Sequence, residues 1–177
     1  MTPASPTTVD PDQITTALIG FHRAVLRLQA DAAASPQDDD GLTVLASATE
    51  CLFWACAIEE AARDDQTYAT GADSYGRSLL TGARWARNQA THRLAFVVTK
   101  PDDDSQPEAV WRPTTELPTP DWESPKQRAA YDTHLAGQPV LRTFQHIASF
   151  FAHEQNRHGS FLNTAAKGLA DLRNLDK

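Results

Sequence analysis

The sequence offers little with which to build a metal or redox centre: it has two cysteines, Cys51 and Cys56, in 177 residues. Five positions apart on a helix, they project about 140° from one another, and no second cysteine pair exists to complete a zinc cage. The pair implies two small buried thiols in a reducing compartment. Glycine-rich phosphate loops are missing, as is the Gly-x-Ser-x-Gly elbow of α/β hydrolases, so nothing points to a Rossmann fold, a kinase or a hydrolase. Long uninterrupted apolar runs are also lacking. The most apolar stretch, Leu42–Ile58, contains Thr43, Ser47, Thr49 and Glu50, and reads as a buried helix rather than a membrane span. Met1–Pro6 has neither a basic start nor an apolar run, so no secretion signal is read there and a cytoplasmic location is expected. Positive charge is short too: 16 Lys and Arg stand against 23 Asp and Glu, a net −7. That field repels phosphate, so any contact with nucleic acid has to come from a local basic patch.

Apolar residues make up 41% of the chain and charged residues 22%, a globular rather than a disordered balance. The length suits one domain, expected over 11–177, behind a loose Pro- and Thr-rich segment at 1–10. A first helix is predicted over Pro11–Ala34, with Asp10 as N-cap and Ile14, Leu18, Phe21, Val25 and Leu28 as its core stripe. A second, over Leu42–Asp65, is apolar almost all round and should be central. A third is predicted over Asp73–Val98. Lys100–Pro125 reads as a long acidic, Trp- and Pro-rich loop with a short strand near Ala109–Trp111, pinned to the body by Trp111 and Trp122. Further helices are predicted from Pro125 to Gly137, over Pro139–His158 and over Ser160–Asn174. The fold class is all-α: a five- to six-helix bundle with one elaborated loop at about 100–125.

The third helix carries the chemistry. Wound at about 100° per residue, Leu79, Ala83, Ala86, Ala90, Leu94 and Val97 fall on one stripe that should face the core. Arg77, Thr81, Arg84, Asn88 and His92 fall opposite, with Trp85 and Phe96 bordering them, which describes a binding surface better than a solvated one. Between Ser74 and Lys100 there are five basic residues and no Asp or Glu. Such a window in an acidic chain is a footprint for phosphate, or the positive half of a helix pair with Glu59 and Glu60 of the second helix as partners.

Arg87-Asn88-Gln89-Ala90-Thr91-His92 resembles the arginine–histidine signature of HEPN domains (higher eukaryotes and prokaryotes nucleotide-binding) in its Arg-to-His spacing and in the polar residue after the Arg. The resemblance covers this hexapeptide and the all-α organisation. It implies a small helical bundle acting as an endoribonuclease of toxin–antitoxin, defence or RNA-processing type, with no cofactor. It also implies a homodimer in which two motifs share one cleft, an antitoxin or other protein partner, and 2′,3′-cyclic phosphate and 5′-hydroxyl products. The residue types suit such a reaction. An imidazole titrates near neutrality and can move the 2′-OH proton; a guanidinium can hold two phosphate oxygens; no metal is needed. His92 is the expected acid–base group, Arg87 the phosphate clamp and Asn88 an orienting amide. Arg84, Arg77 and Trp85 are expected to contact RNA, and Glu59 to orient the Arg or His. On an ideal helix Arg87 and His92 are about 140° apart. Two other readings stay open: Arg87 as a salt-bridge partner of Glu59 or Glu60, and His92 as an exposed histidine beside Trp85 or Phe96, in a catalytically inactive bundle that binds a partner or nucleic acid through this helix.

His153–His158 resembles a zinc-protease helix, but its two histidines are five apart where metal ligation needs four. His146 and His153 share a face, and with His22 or a carboxylate they are the only metal set the spacing suggests. No metal is expected.

Overall fold

The computed structural model describes residues 11–34, 41–63, 65–93, 95–100, 108–119, 124–160 and 162–163. Six helices and one two-stranded sheet make up this part of the chain, an all-α bundle. Helix α1 is Pro11–Ala34, and its predicted stripe is the buried one: Ile14, Leu18, Phe21, Val25 and Leu28. Each such aliphatic or aromatic side chain contributes about 1.5–3 kcal/mol on full burial. The Asp10 cap lies outside the described residues.

Helix α2, Leu42–Ala62, begins on Gly41, whose φ of 85° is a left-handed conformation few other residues tolerate. It packs between α1 and the later helices, burying Val44, Ala48, Cys51, Leu52, Ala55 and Ile58. By length and composition it is apolar enough to cross a membrane, and half of that window is enclosed by the bundle. Phe53 remains exposed, edge-on to Trp54. The helix stops at Ala62, three residues short of the predicted Asp65, because Asp65 caps a new helix. Its carboxylate accepts the Thr67 and Tyr68 backbone N–H groups at 2.6 and 3.3 Å, starting α3 at Gln66–Gly71.

Helix α4, Ser74–Arg93, is the predicted third helix, shortened at its C-terminus. Val97 is buried but is not helical. It enters a strand β1, Val98–Thr99, which pairs antiparallel with β2, Val110–Trp111, in the register Val98↔Trp111. The Phe96-Val97-Val98-Thr99 run is aromatic and β-branched, and its preference for extended backbone overrides continuation of the stripe. The expected strand near Ala109–Trp111 is therefore present, within a connection that also holds a 3₁₀ turn at Thr114–Glu116. Trp111 is fully buried, and its Nε1–H donates to Thr143 Oγ1 at 2.9 Å, pinning the connection to the bundle. Trp122 and Leu94 lie outside the described residues.

Helix α5, Pro125–His134, is capped by Ser124 Oγ with Pro125 in its first turn. Gly137, at φ 72°, turns the chain into α6, Val140–Asn156. The predicted final helix over 160–174 falls mostly outside the described residues. Helices α4 and α5 approach very closely: a Cβ on Gly82 would stand 3.0 Å from the Tyr131 backbone nitrogen and 2.9 Å from Leu135 Cδ1. This contact buries the second side of α4, where Trp85 lies on Tyr131 with ring centroids 4.5 Å apart.

Candidate functional site

Because α4 packs against both α2 and α5, its surface is smaller than one apolar stripe would leave. Leu80, Gly82, Trp85 and Gln89 are buried in addition to Leu79, Ala83 and Ala86. This corrects two expectations. Trp85 does not border an open face: it is 3% exposed and belongs to the α4–α5 contact. Arg84 does not share an exposed face with Asn88 and His92: it turns toward α2 and pairs with Glu59, the two side chains being 12% and 11% exposed. Burial, helped by the like charge of Arg87 and opposed by the nearby Cys56, sets the Arg84 guanidinium below its usual pKa. Glu59 thus serves Arg84, where it was expected to orient Arg87 or His92.

One turn further along, Arg87 Nη1–H donates to Glu60 Oε1 at 3.0 Å. Its Nε and Nη2 hydrogens reach the Asn88 amide oxygen at 3.3 and 3.2 Å. The guanidinium is therefore held from two sides and retains 23% of its exposure. Arg84–Glu59 and Arg87–Glu60 form a two-rung ladder between α4 and α2, the arrangement in which the basic window is half of a helix pair. Cys56 lies near both arginines, yet burial dominates and pushes its thiol up to about 11.

His92 is exposed in the last turn of α4, where the helix dipole favours a cation. Phe96, just beyond, is 56% exposed. Arg77 sits near the opposite end of the helix, its Nη1 donating to the Ala69 carbonyl at 2.7 Å. The motif thus leaves Arg87, Asn88 and His92 at the C-terminal end of α4, with Arg77 remote and Arg84 and Trp85 built into interhelical contacts.

Among the described residues no group of three or more His, Cys, Asp or Glu side chains converges as metal ligands do. His146 has another partner: its Nδ1 lies 3.1 Å from the Tyr75 hydroxyl. Tyr75 also meets the His134 ring edge-on, with centroids 5.5 Å apart, and His134 Nε2 lies 2.8 Å from Ser78 Oγ. This Tyr75–His134–His146 cluster joins α4, α5 and α6. Sequence reasoning missed it because its members are up to 71 positions apart, and only the His146 spacing on α6 gave any signal. No family model, no curated protein and no solved structure matches the chain.

Proposed function

We propose that the chain is a metal-independent endoribonuclease of HEPN type, acting as a cytoplasmic homodimer. His92 moves the proton of the attacking 2′-OH, and Arg87 holds the phosphate with Asn88 fixing its orientation. The observation that carries the reading is the pre-oriented, part-exposed guanidinium of Arg87 one and a half turns from an exposed imidazole on the same helix. A fixed cation facing developing phosphorane charge is the main requirement of this chemistry, and a guanidinium fork suits it. Two motifs brought together across a dimer would bridge the angular gap between the two side chains. Glu60 competes with phosphate for Arg87, but that pair is exposed enough to exchange, since ion pairs of this kind contribute only about 0–1 kcal/mol.

A second reading is favoured by the ladder itself: Arg84–Glu59 and Arg87–Glu60 neutralise two of the cations on α4, as in a catalytically inactive bundle that binds a protein or nucleic-acid partner. The two readings separate in one assay, cleavage of total RNA in EDTA by wild type, His92→Ala, Arg87→Ala and Glu60→Gln. The ribonuclease reading expects loss of activity in the first two variants and retained or raised activity in Glu60→Gln. Equal cleavage by all four proteins, or none by wild type, removes the catalytic assignment.

A further inference from the structure

A groove crosses the molecule where the N-terminal half of α4 meets α5 and α6. Three hollows of about 370, 250 and 430 Å³ succeed one another along it. Tyr75 and His146 line both the first and the second; Thr133 and His134 line both the second and the third. The chain is acidic overall, yet among the described residues these walls carry Arg77, Lys126 and Arg142 against a single carboxylate, Asp73. Asp73 is engaged by its own helix, its Oδ2 accepting the Gly76 N–H at 2.7 Å. The neighbouring Asp132 is drawn the other way, toward Arg128 and the Thr114 hydroxyl.

The middle hollow has the most specific chemistry. Among the described residues no carboxylate lines it, whereas Arg142, His134, His146 and Thr133 all do. Arg142 is exposed and makes no ion pair among the described residues. Tyr75 holds the two imidazoles in place, by a hydrogen bond to His146 and an edge-on ring contact to His134. An exposed guanidinium beside two positioned imidazoles and a hydroxyl matches a phosphate group, which accepts bidentate donation from arginine and further hydrogen bonds on its remaining oxygens. At about 250 Å³ this hollow is below the usual size for a whole organic ligand, which makes it a seat for the anion alone. The adjoining hollow, beside Phe150, Gly76 and Ser149, is walled mainly by apolar surface and would take the rest of the molecule.

We propose that this groove binds a small phosphate ester, its phosphate against Arg142, His134 and His146 and its apolar body in the slot beside Phe150 and Ser149. The site is separate from the Arg87–His92 motif. Tyr75 and His92 stand roughly 25 Å apart along α4 at 1.5 Å per residue, so either proposal can fail without the other.

Calorimetric titration of the full chain tests it with two probes, inorganic phosphate and phenyl phosphate. Both are expected to bind saturably, the ester more tightly. Arg142→Ala, with Arg142→Gln as a second removal of the charge, should weaken both by roughly tenfold or more, the usual effect of losing a charge-assisted contact. Ser149→Trp, which fills the slot from an exposed position, should bring the ester down to the affinity of inorganic phosphate and leave the latter unchanged. Arg23→Ala, an exposed cation on α1, should change neither. Absence of saturable binding at millimolar phosphate, indifference to both Arg142 variants, or equal affinity of the two probes for wild type would each overturn the proposal.

Discussion

Removing one member of the Arg84–Glu59 pair should destabilise the protein far more than removing both. With side chains 12% and 11% exposed, the pair is nearly out of water, and truncation of either partner leaves the other charge enclosed and uncompensated. Breaking a buried pair in this way costs about 3–5 kcal/mol, whereas exchanging both members for apolar residues of similar size is close to neutral. Arg84→Met should therefore lose about 3–5 kcal/mol and lower Tm by roughly 6–20 °C, at about 2–4 °C per kcal/mol for a chain of this size. Glu59→Leu should lose somewhat less, since the long arginine stem can carry its head toward solvent. The double variant should lie within about 1 kcal/mol of wild type. Urea unfolding followed by circular dichroism, extrapolated linearly to water, gives all four values and the coupling between them. Single losses below about 1 kcal/mol that simply add would mean that the ladder is solvated and does not join α2 to α4.

The glycine at the α4–α5 crossing gives a second test: Gly82→Ala gains up to about 1 kcal/mol of helix propensity but forces Cβ against the Tyr131 backbone. A net loss of about 1–3 kcal/mol is expected in the same unfolding assay, and net stabilisation would show that the two helices separate freely. The buried thiols predict alkaline sensitivity. Burial, ahead of Glu50, pushes Cys51 up to about 12 from its ordinary 9.0, and burial pushes Cys56 up to about 11. Both pKa values are higher in the folded than in the unfolded chain, so their contribution to stability is complete below about pH 9 and is lost as pH rises through 11 to 12. The urea midpoint should accordingly fall over that interval. A thiol reagent at pH 8 should leave the native protein unmodified and label both cysteines once it is denatured; rapid native labelling would contradict the burial.

Helix α1 was legible residue for residue because its stripe meets α2 and α6 along one side while its other faces meet water, the case periodicity describes. Helix α4 was not, because it is sandwiched. A single stripe can be read from spacing, but the second buried side is created by α5, and no periodicity within α4 announces that Gly82 and Trp85 will be covered. Arg84 passed for an exposed cation because it turns toward α2 to pair with Glu59, a contact that the spacing within α4 alone does not reveal. The Arg87–Glu60 pairing was anticipated as one of the possible fates of Arg87, since acidic residues on α2 had to find partners on a basic neighbour. The end of α4 was placed too late because Val97 fits the apolar stripe in sequence while its β-branched surroundings favour β1. The Tyr75–His134–His146 cluster depends on three helices meeting and has no local signature.

The proposed chemistry requires an attacking hydroxyl supplied by the RNA itself and an imidazole supplied by His92. The most direct measurement is end-group analysis of a defined oligoribonucleotide beside the same strand carrying one 2′-deoxy sugar at the cleaved position. The account predicts a 2′,3′-cyclic phosphate and a 5′-hydroxyl from the ribose strand, resistance of the deoxy linkage, and no cut by His92→Ala. Cleavage of the deoxy linkage, or undiminished cleavage by His92→Ala, would contradict it.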